Sequence, residues 1–224
     1  EGGQSAAGAL LDWTLRQSDA WPLLESTARA AGRNEYAVLN DWLADLESRE
    51  KWPARDLHVL SAHHGNRSPR ANPHARGAVV GLTLEQGKDA LARLYLATLQ
   101  ALAYGTRHII ESMNAAGHRI ERIVMCGGGT KNPYWLRENA DATGCEIHLV
   151  GEEDAVTLGA ALLGAVACGA FPTLPDAAAG LVRPGGSVKA RPEAKAFHDA
   201  KYAVYLQLYD DMERCRAAMQ AWRQ

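Results

Sequence analysis

Several features that would commit a chain to a class are missing here. No apolar run approaches the ~20 residues needed to span a bilayer, and no basic-then-apolar signal segment opens the chain. Charge excess is missing too: 24 Lys and Arg stand against 26 Asp and Glu in 224 residues. Nucleic acid, whose phosphates select a basic face, is therefore not an expected partner. The four cysteines (Cys126, Cys145, Cys168, Cys215) form no C-x-x-C pair, which predicts small buried thiols in a reducing compartment. A soluble cytoplasmic protein is the expectation. An initiating methionine is absent as well. The chain opens at Glu1-Gly2-Gly3 and its first methionine is Met113, so it reads as a piece of something longer.

What is present is apolar content of 47%, enough for one substantial core or two small ones. The first fifty residues read as helices. Leu10, Leu11, Trp13 and Leu15 lie within Ala6 to Arg16, a second segment follows Trp21-Pro22, and a third follows Asn34. In the third, Tyr36, Leu39, Trp42, Leu43 and Leu46 share one helical face, and Asn34 suits the N-cap. Leu57 to Ala62 and Ala78 to Leu84 read as short strands around a polar loop, with Gly81 interrupting the second. Leu91, Leu94, Thr98, Leu102, Gly105, Ile109 and Met113 predict a long amphipathic helix that Gly117 ends. A buried strand is expected over Ile120 to Cys126, a helix near Pro133 to Thr143, a strand over Glu146 to Val150 and a helix over Asp154 to Cys168. The tail, Pro192 to about Trp222, should be a helix with Val204, Leu208, Met212, Cys215, Met219 and Trp222 on its stripe. Strands alternate with helices over the last two thirds, which makes the fold class α/β.

The most informative stretch is IERIVMCGGGTKNPYW, Ile120 to Trp135. A strand runs into Gly127, Gly128 and Gly129, and a helix follows with Asn132 fit for its N-cap and Pro133 for its first position. Such a turn lets backbone N–H groups approach a flat or anionic ligand, and it also serves as a plain tight connection. Both readings stay open from spacing alone, because the run is neither a P-loop nor a dinucleotide fingerprint. Glu152, Glu153 and Asp154 open the next helix, and its small residues predict close packing that supports a site without touching phosphate. His58, His63, His64 and His74 gather around one loop in no metal-ligand spacing, so no metal residue is assigned. Trp21 and Trp52, read as exposed, are candidates for a subunit contact such as a homodimer's.

Taken together, four motifs resemble the FGGY family of carbohydrate kinases. EGGQSAAGALLDW (Glu1 to Trp13) resembles the segment after that family's phosphate-binding threonine loop. HGNRSPRANPHARGAVVGLTL (His64 to Leu84) resembles its second signature, in wording closest to the ribulokinase branch. CGGGTKNPYW resembles its adenosine motif, and DAVTLGAALLGA (Asp154 to Ala165) the helix closing the nucleotide pocket. One departure is the polar residue usual early in the second signature's helix, absent where Leu91 to Leu94 stand.

The resemblance implies an actin-like ATPase domain of the ribonuclease H-like type, the C-terminal half of a two-domain sugar kinase spanning residues 1–224. It implies ATP and Mg²⁺ as cofactors, an N-terminal kinase domain as partner, and a ketopentose substrate such as ribulose, with xylulose or glycerol as alternatives. By position, Gly8 would lie near the phosphates and Asp12 near the bound nucleotide, although related kinases often carry an uncharged residue there. Gly128 and Gly129 would face the α-phosphate and ribose, and Thr130 and Asn132 the adenine. The catalytic base would be an aspartate preceding Glu1, so no catalytic residue is assigned and the piece alone is expected to be inactive. A non-catalytic nucleotide-sensing module is the alternative from another class.

Overall fold

The computed structural model describes residues 1–152 and 154–222. Three helices come first: α1 (Ala7–Arg16), α2 (Trp21–Ala31) and α3 (Glu35–Arg49). Two three-residue strands, β1 (His58–Leu60) and β2 (Ala78–Val80), then pair antiparallel. Next come α4 (Lys88–Ala115), β3 (Arg122–Met125), α5 (Pro133–Thr143) and β4 (Glu146–Val150). The chain closes with α6 (Ala155–Ala167), α7 (Leu174–Leu181), β5 (Pro184–Val188) and α8 (Lys195–Ala221). Strand order in the second sheet is β3-β4-β5, parallel between β3 and β4 and antiparallel between β4 and β5.

Helix α4 is the axis of the molecule. Every residue from Tyr95 through Gly105 is buried, so no face of its middle turns is left to water. Such a helix must satisfy its own polar groups. Thr98 donates to the Leu94 carbonyl at 2.7 Å, Tyr95 to Asn40 Oδ1 at 3.0 Å, and the Tyr104 hydroxyl meets His198 Nδ1 at 3.0 Å. Around it pack α1, α2, α3, α5, α8 and β1. Gly117, at φ 99°, ends the helix as its position predicted, while the His118 amide donates back to the Met113 carbonyl.

The α3 face forms as expected at Leu39, Leu43 and Leu46, with Val38 joining them, and Asn34 accepts from the Ala37 amide at 2.8 Å. Gly81 does more than interrupt a strand. It ends β2 at φ 92°, and a Cβ there would stand 1.9 Å from the Asp56 carbonyl oxygen, so no side chain fits.

Other expectations need correction. Strand β3 is not buried: Val124 is 69% exposed, because α5 covers only one face of the sheet among the described residues. Cys126, Cys168 and Cys215 are exposed and only Cys145 is buried. Helix α8 turns a different stripe inward. His198, Lys201, Tyr202, Tyr205 and Tyr209 are buried, whereas Cys215, Met219 and Trp222 face out. Tyrosines win those positions because their hydroxyls reach partners: Tyr202 to Glu111, Tyr205 to Ser61 and Tyr209 to Asn72. Neither Trp21 nor Trp52 is exposed. Trp21 packs on the core beneath the Arg16 guanidinium, and Trp52 stacks on Phe197 at 4.2 Å. The small residues of α6 do not mark tight packing, since only Leu162 is buried and a Cβ at Gly159 or Gly164 would meet nothing within 4 Å. Of the acidic residues opening that helix, Glu153 lies outside the described residues. Asp154 caps it, accepting from the Thr157 amide at 3.1 Å. Helix α7 and strand β5 carried no expectation at all.

Candidate functional site

Helix α1 begins without a cap. Ala6 stands at the N-cap in the left-handed region (φ 59°), no side chain bonds the first amides, and no acidic residue sits in the first turn. A helix start left this way keeps donors and a partial positive charge for an anion. Gly8 is exposed on that first turn, and a Cβ built on it meets nothing within 4 Å. Glycine weakens a helix by up to ~1 kcal/mol relative to alanine, yet no protein neighbour requires it here. Asp12 follows one turn later on the same side. It is not free, since Arg16 Nε donates to it at 2.9 Å with both side chains about half exposed.

On the flank of this opening, Trp13 leans on His63 with ring centroids 5.3 Å apart. Ser5, Ala6, Ala9, Trp13, Ser61 and His63 help line an open groove of about 390 Å³. Burial holds the His63 imidazole below its ordinary pKa.

The glycine turn forms the second half of the arrangement. Gly127 has φ 88°, a conformation that favours glycine, and the backbone then closes a 3-10 turn over Gly128–Lys131. A Cβ at Gly127 or Gly128 would meet nothing within 4 Å, whereas at Gly129 it would press on the Trp135 ring at 3.2 Å. Thr130 spends both its amide (3.0 Å) and its hydroxyl (2.7 Å) on the Gly127 carbonyl. Asn132 caps α5 as predicted, accepting from the Tyr134 amide at 3.1 Å, and its Nδ2 donates to the Tyr95 hydroxyl at 2.6 Å. Thr130 and Asn132 thus use these groups to hold the turn.

Residues of α3 brace the glycine turn. On α3, Tyr36 and Asn40 lie one turn apart. The Asn40 amide reaches Asn132 at 3.4 Å and its oxygen receives the Tyr95 hydroxyl at 3.0 Å. The Tyr36 ring stands 6.3 Å from that of Tyr95. Its phenol pKa is raised, first by burial and then by the Asp12 carboxylate. Helix α3 thus ties the glycine turn to α4, beside a half-buried tyrosine that the sequence presented only as a core position. The pattern of apolar spacing that found Tyr36 could not separate a core ring from a site ring. A cavity of about 640 Å³ lined by Asp19, Glu50, Trp52, Arg55, Glu85 and Arg93, among others, shares no residue with this set.

This architecture, with a glycine turn between a strand and a capped helix, is the actin-like ATPase fold of sugar kinases. Its solved relatives include a xylulose kinase from Rhodospirillum rubrum, 26% identical, covering 92% of this chain and 38% of that one, with a TM-score of 0.70. Residues 1–168 match the FGGY family of carbohydrate kinases, C-terminal domain, and the chain belongs to that family. It is 43% identical over 221 residues to an FGGY carbohydrate kinase domain-containing protein of Xenopus laevis. It is 33% identical to a ribulokinase of Mycolicibacterium smegmatis, over 100% of this chain and 38% of that protein. The chain spans about 40% of the length of the Xenopus relative.

Proposed function

We propose that this chain is the nucleotide-binding half of an ATP-dependent carbohydrate kinase that phosphorylates a ketopentose, with ribulose the favoured acceptor. The observation that carries the reading is a pair of glycines that no protein neighbour requires. Gly8, on an uncapped helix start, and Gly128, in the turn after β3, both leave bare backbone open to a ligand. Polyphosphate suits the first, through helix amides and dipole. The nucleoside end of ATP suits the second, where a flat backbone lets ribose or base approach. Asp12 borders the nucleotide with its charge offset by Arg16. Thr130 and Asn132 shape the adenine side by fixing the turn, and Gly129 keeps the Trp135 ring in place beneath it.

Those residues fit ATP. Mg²⁺ would arrive on the phosphates and neutralise charge developing during transfer. No ligand for it is assigned on this chain. The residues here bind and orient the donor, while the base, the sugar contacts and the threonine loop belong to an N-terminal domain that closes over both substrates and excludes water. Ribulose is favoured by the GNRSP loop (Gly65 to Pro69) and by the ribulokinases among the relatives.

The test is sugar-dependent ADP formation by the full-length kinase with Mg-ATP. D-ribulose, L-ribulose, xylulose, ribitol and glycerol form the panel, with this chain alone as control. Turnover of a ribulose beside a silent control is the expected result. Nucleotide binding without turnover of any sugar by the full-length protein would replace the kinase with a nucleotide-sensing module.

A further inference from the structure

The groove of about 390 Å³ beside the opening of α1 falls within the ~300–1,000 Å³ usual for small-molecule sites. Its charge sets it apart from the other large cavities. Among the described residues, no Asp, Glu, Lys or Arg lines it. The cavity of about 640 Å³ carries Asp19, Glu50, Arg55 and Arg93, and one of about 190 Å³ carries Gln100, Arg137, Glu138 and His198. In those two the charges hold one another, Arg93 with Glu50 at 2.5 Å and Arg137 with Glu138 at 2.7 Å.

The polar groups of the groove are neutral and in part unspent. The Ser5 hydroxyl has no hydrogen-bond partner among the described residues. His63 Nδ1 is buried without a partner against Gly77, whose Cβ position the ring already fills. An N–H orphaned in the interior is rarer than an orphaned lone pair, so the ring proton belongs on Nε2. Burial holds the imidazole below its ordinary pKa and so neutral, with Nε2 as a donor. The Trp13 indole, 50% exposed, adds an apolar face.

This lining selects a ligand class. A charged group would give up its hydration and find no counter-charge. A wholly apolar ligand would leave Ser5 and His63 without partners. A neutral sugar carries both kinds of surface, with C–H groups for the indole and hydroxyls for Ser5 and His63.

Position agrees with chemistry. Ala9 and Trp13 follow Gly8 and Asp12 by one residue, so their flank of α1 is turned about 100° from the nucleotide flank. Both flanks start at the same uncapped opening, where Ser5 and Ala6 line the groove. A phosphoryl group held there has the nucleoside on one side and the groove on the other. His63 and His64 also run directly into the Gly65 to Pro69 loop that favours ribulose.

We propose that the Trp13–His63 groove is one wall of the acceptor site, with the indole against the C–H face of a neutral sugar and His63 Nε2 and Ser5 Oγ bonded to its hydroxyls. The assignment rests on the kinase reading above. It adds a wall from this chain to the sugar contacts of the N-terminal domain.

The experiment is steady-state kinetics of the full-length kinase, varying ribulose and ATP separately. Trp13→Ala is expected to raise the KM for ribulose by ~3–10-fold and to leave the KM for ATP within about twofold. Trp13→Phe, which keeps an aromatic face, should retain most of the parent value. Gly8→Ala should show the opposite pattern, with the KM for ATP raised and that for ribulose unchanged. If the parent turns over ribulose and Trp13→Ala leaves its KM unchanged, or raises only that for ATP, the groove is not an acceptor wall and the kinase reading stands. A parent silent on every sugar of the panel would bring down the kinase reading and this assignment with it. Should Trp13→Ala fail to fold, Ser5→Ala, which removes a single hydroxyl, decides through the same pair of KM values.

Discussion

The helical region around α4 and the small sheet of β3, β4 and β5 are built on opposite terms. In the first, eleven consecutive residues of one helix are out of water, and α1, α2, α3, α5 and α8 pack around that helix. In the second, the core is Leu136, Ala140 and Ile147 with a fringe of half-buried neighbours, while Val124 on β3 stands 69% exposed. The same chain thus holds a self-sufficient core beside a sheet sealed on one face. The difference teaches where each region's stability resides: in packing around α4, and in strand pairing plus one helix for the sheet.

The sharpest way to break that comparison is a pair of truncations. Leu99→Ala, at a site with no exposure, should cost ~2–5 kcal/mol by urea unfolding. Val124→Ala should stay within ~0.5 kcal/mol, since its side chain already faces water. Comparable losses at both positions would erase the distinction between the regions.

Next in size is Lys201→Met. It leaves the Ala54 and Leu57 carbonyls without their donor, an expected loss of ~1–3 kcal/mol. The same lysine makes a pH test. Burial lowers its pKa from 10.5 to about 8 in the folded chain, so between those values the unfolded chain binds more protons. Stability contributed through this group therefore rises with pH across that window, and the slope should vanish in the methionine variant.

Asn132→Ala removes the cap of α5 and the bond to Tyr95, and should cost ~0.5–2 kcal/mol. Because α5 covers the sheet and also contacts α4, this variant reports on how strongly the two regions are joined.

Smallest in stability, and most telling for function, is Gly8→Ala. With open space around it, the variant should be as stable as the parent or gain a few tenths of a kcal/mol. ATP affinity measured by calorimetry should nonetheless fall several-fold. Unchanged affinity would remove Gly8 from the nucleotide site.

How far these features could be read in advance differs by element. Local signals were strong where backbone chemistry is local. Asn34 and Asn132 cap their helices, Pro133 opens α5, and Gly117 closes α4. Strand β5 was illegible because Pro184-Gly185-Gly186-Ser187 carries almost none of the β-branched or aromatic pattern that marks strands. Its pairing to β4 comes from position alone. On α8 the apolar spacing was right only in part: Leu208 and Met212 pack at the edge of the core, but a tyrosine stripe with hydroxyl partners takes the buried centre, and Cys215, Met219 and Trp222 face out.

The sequence alone determined the order of the helices apart from α7, the Asn34 and Asn132 caps, the glycine turn and the family motifs, because each depends on residues a few positions apart. Only the tertiary structure decided that Asn40 and Tyr95 meet Asn132, that β3 shows a bare face, and that Gln100, Glu138 and His198 meet around one cavity. Those facts depend on residues tens of positions apart. Which side chains meet across such distances is set by how whole helices pack, and no local spacing encodes it.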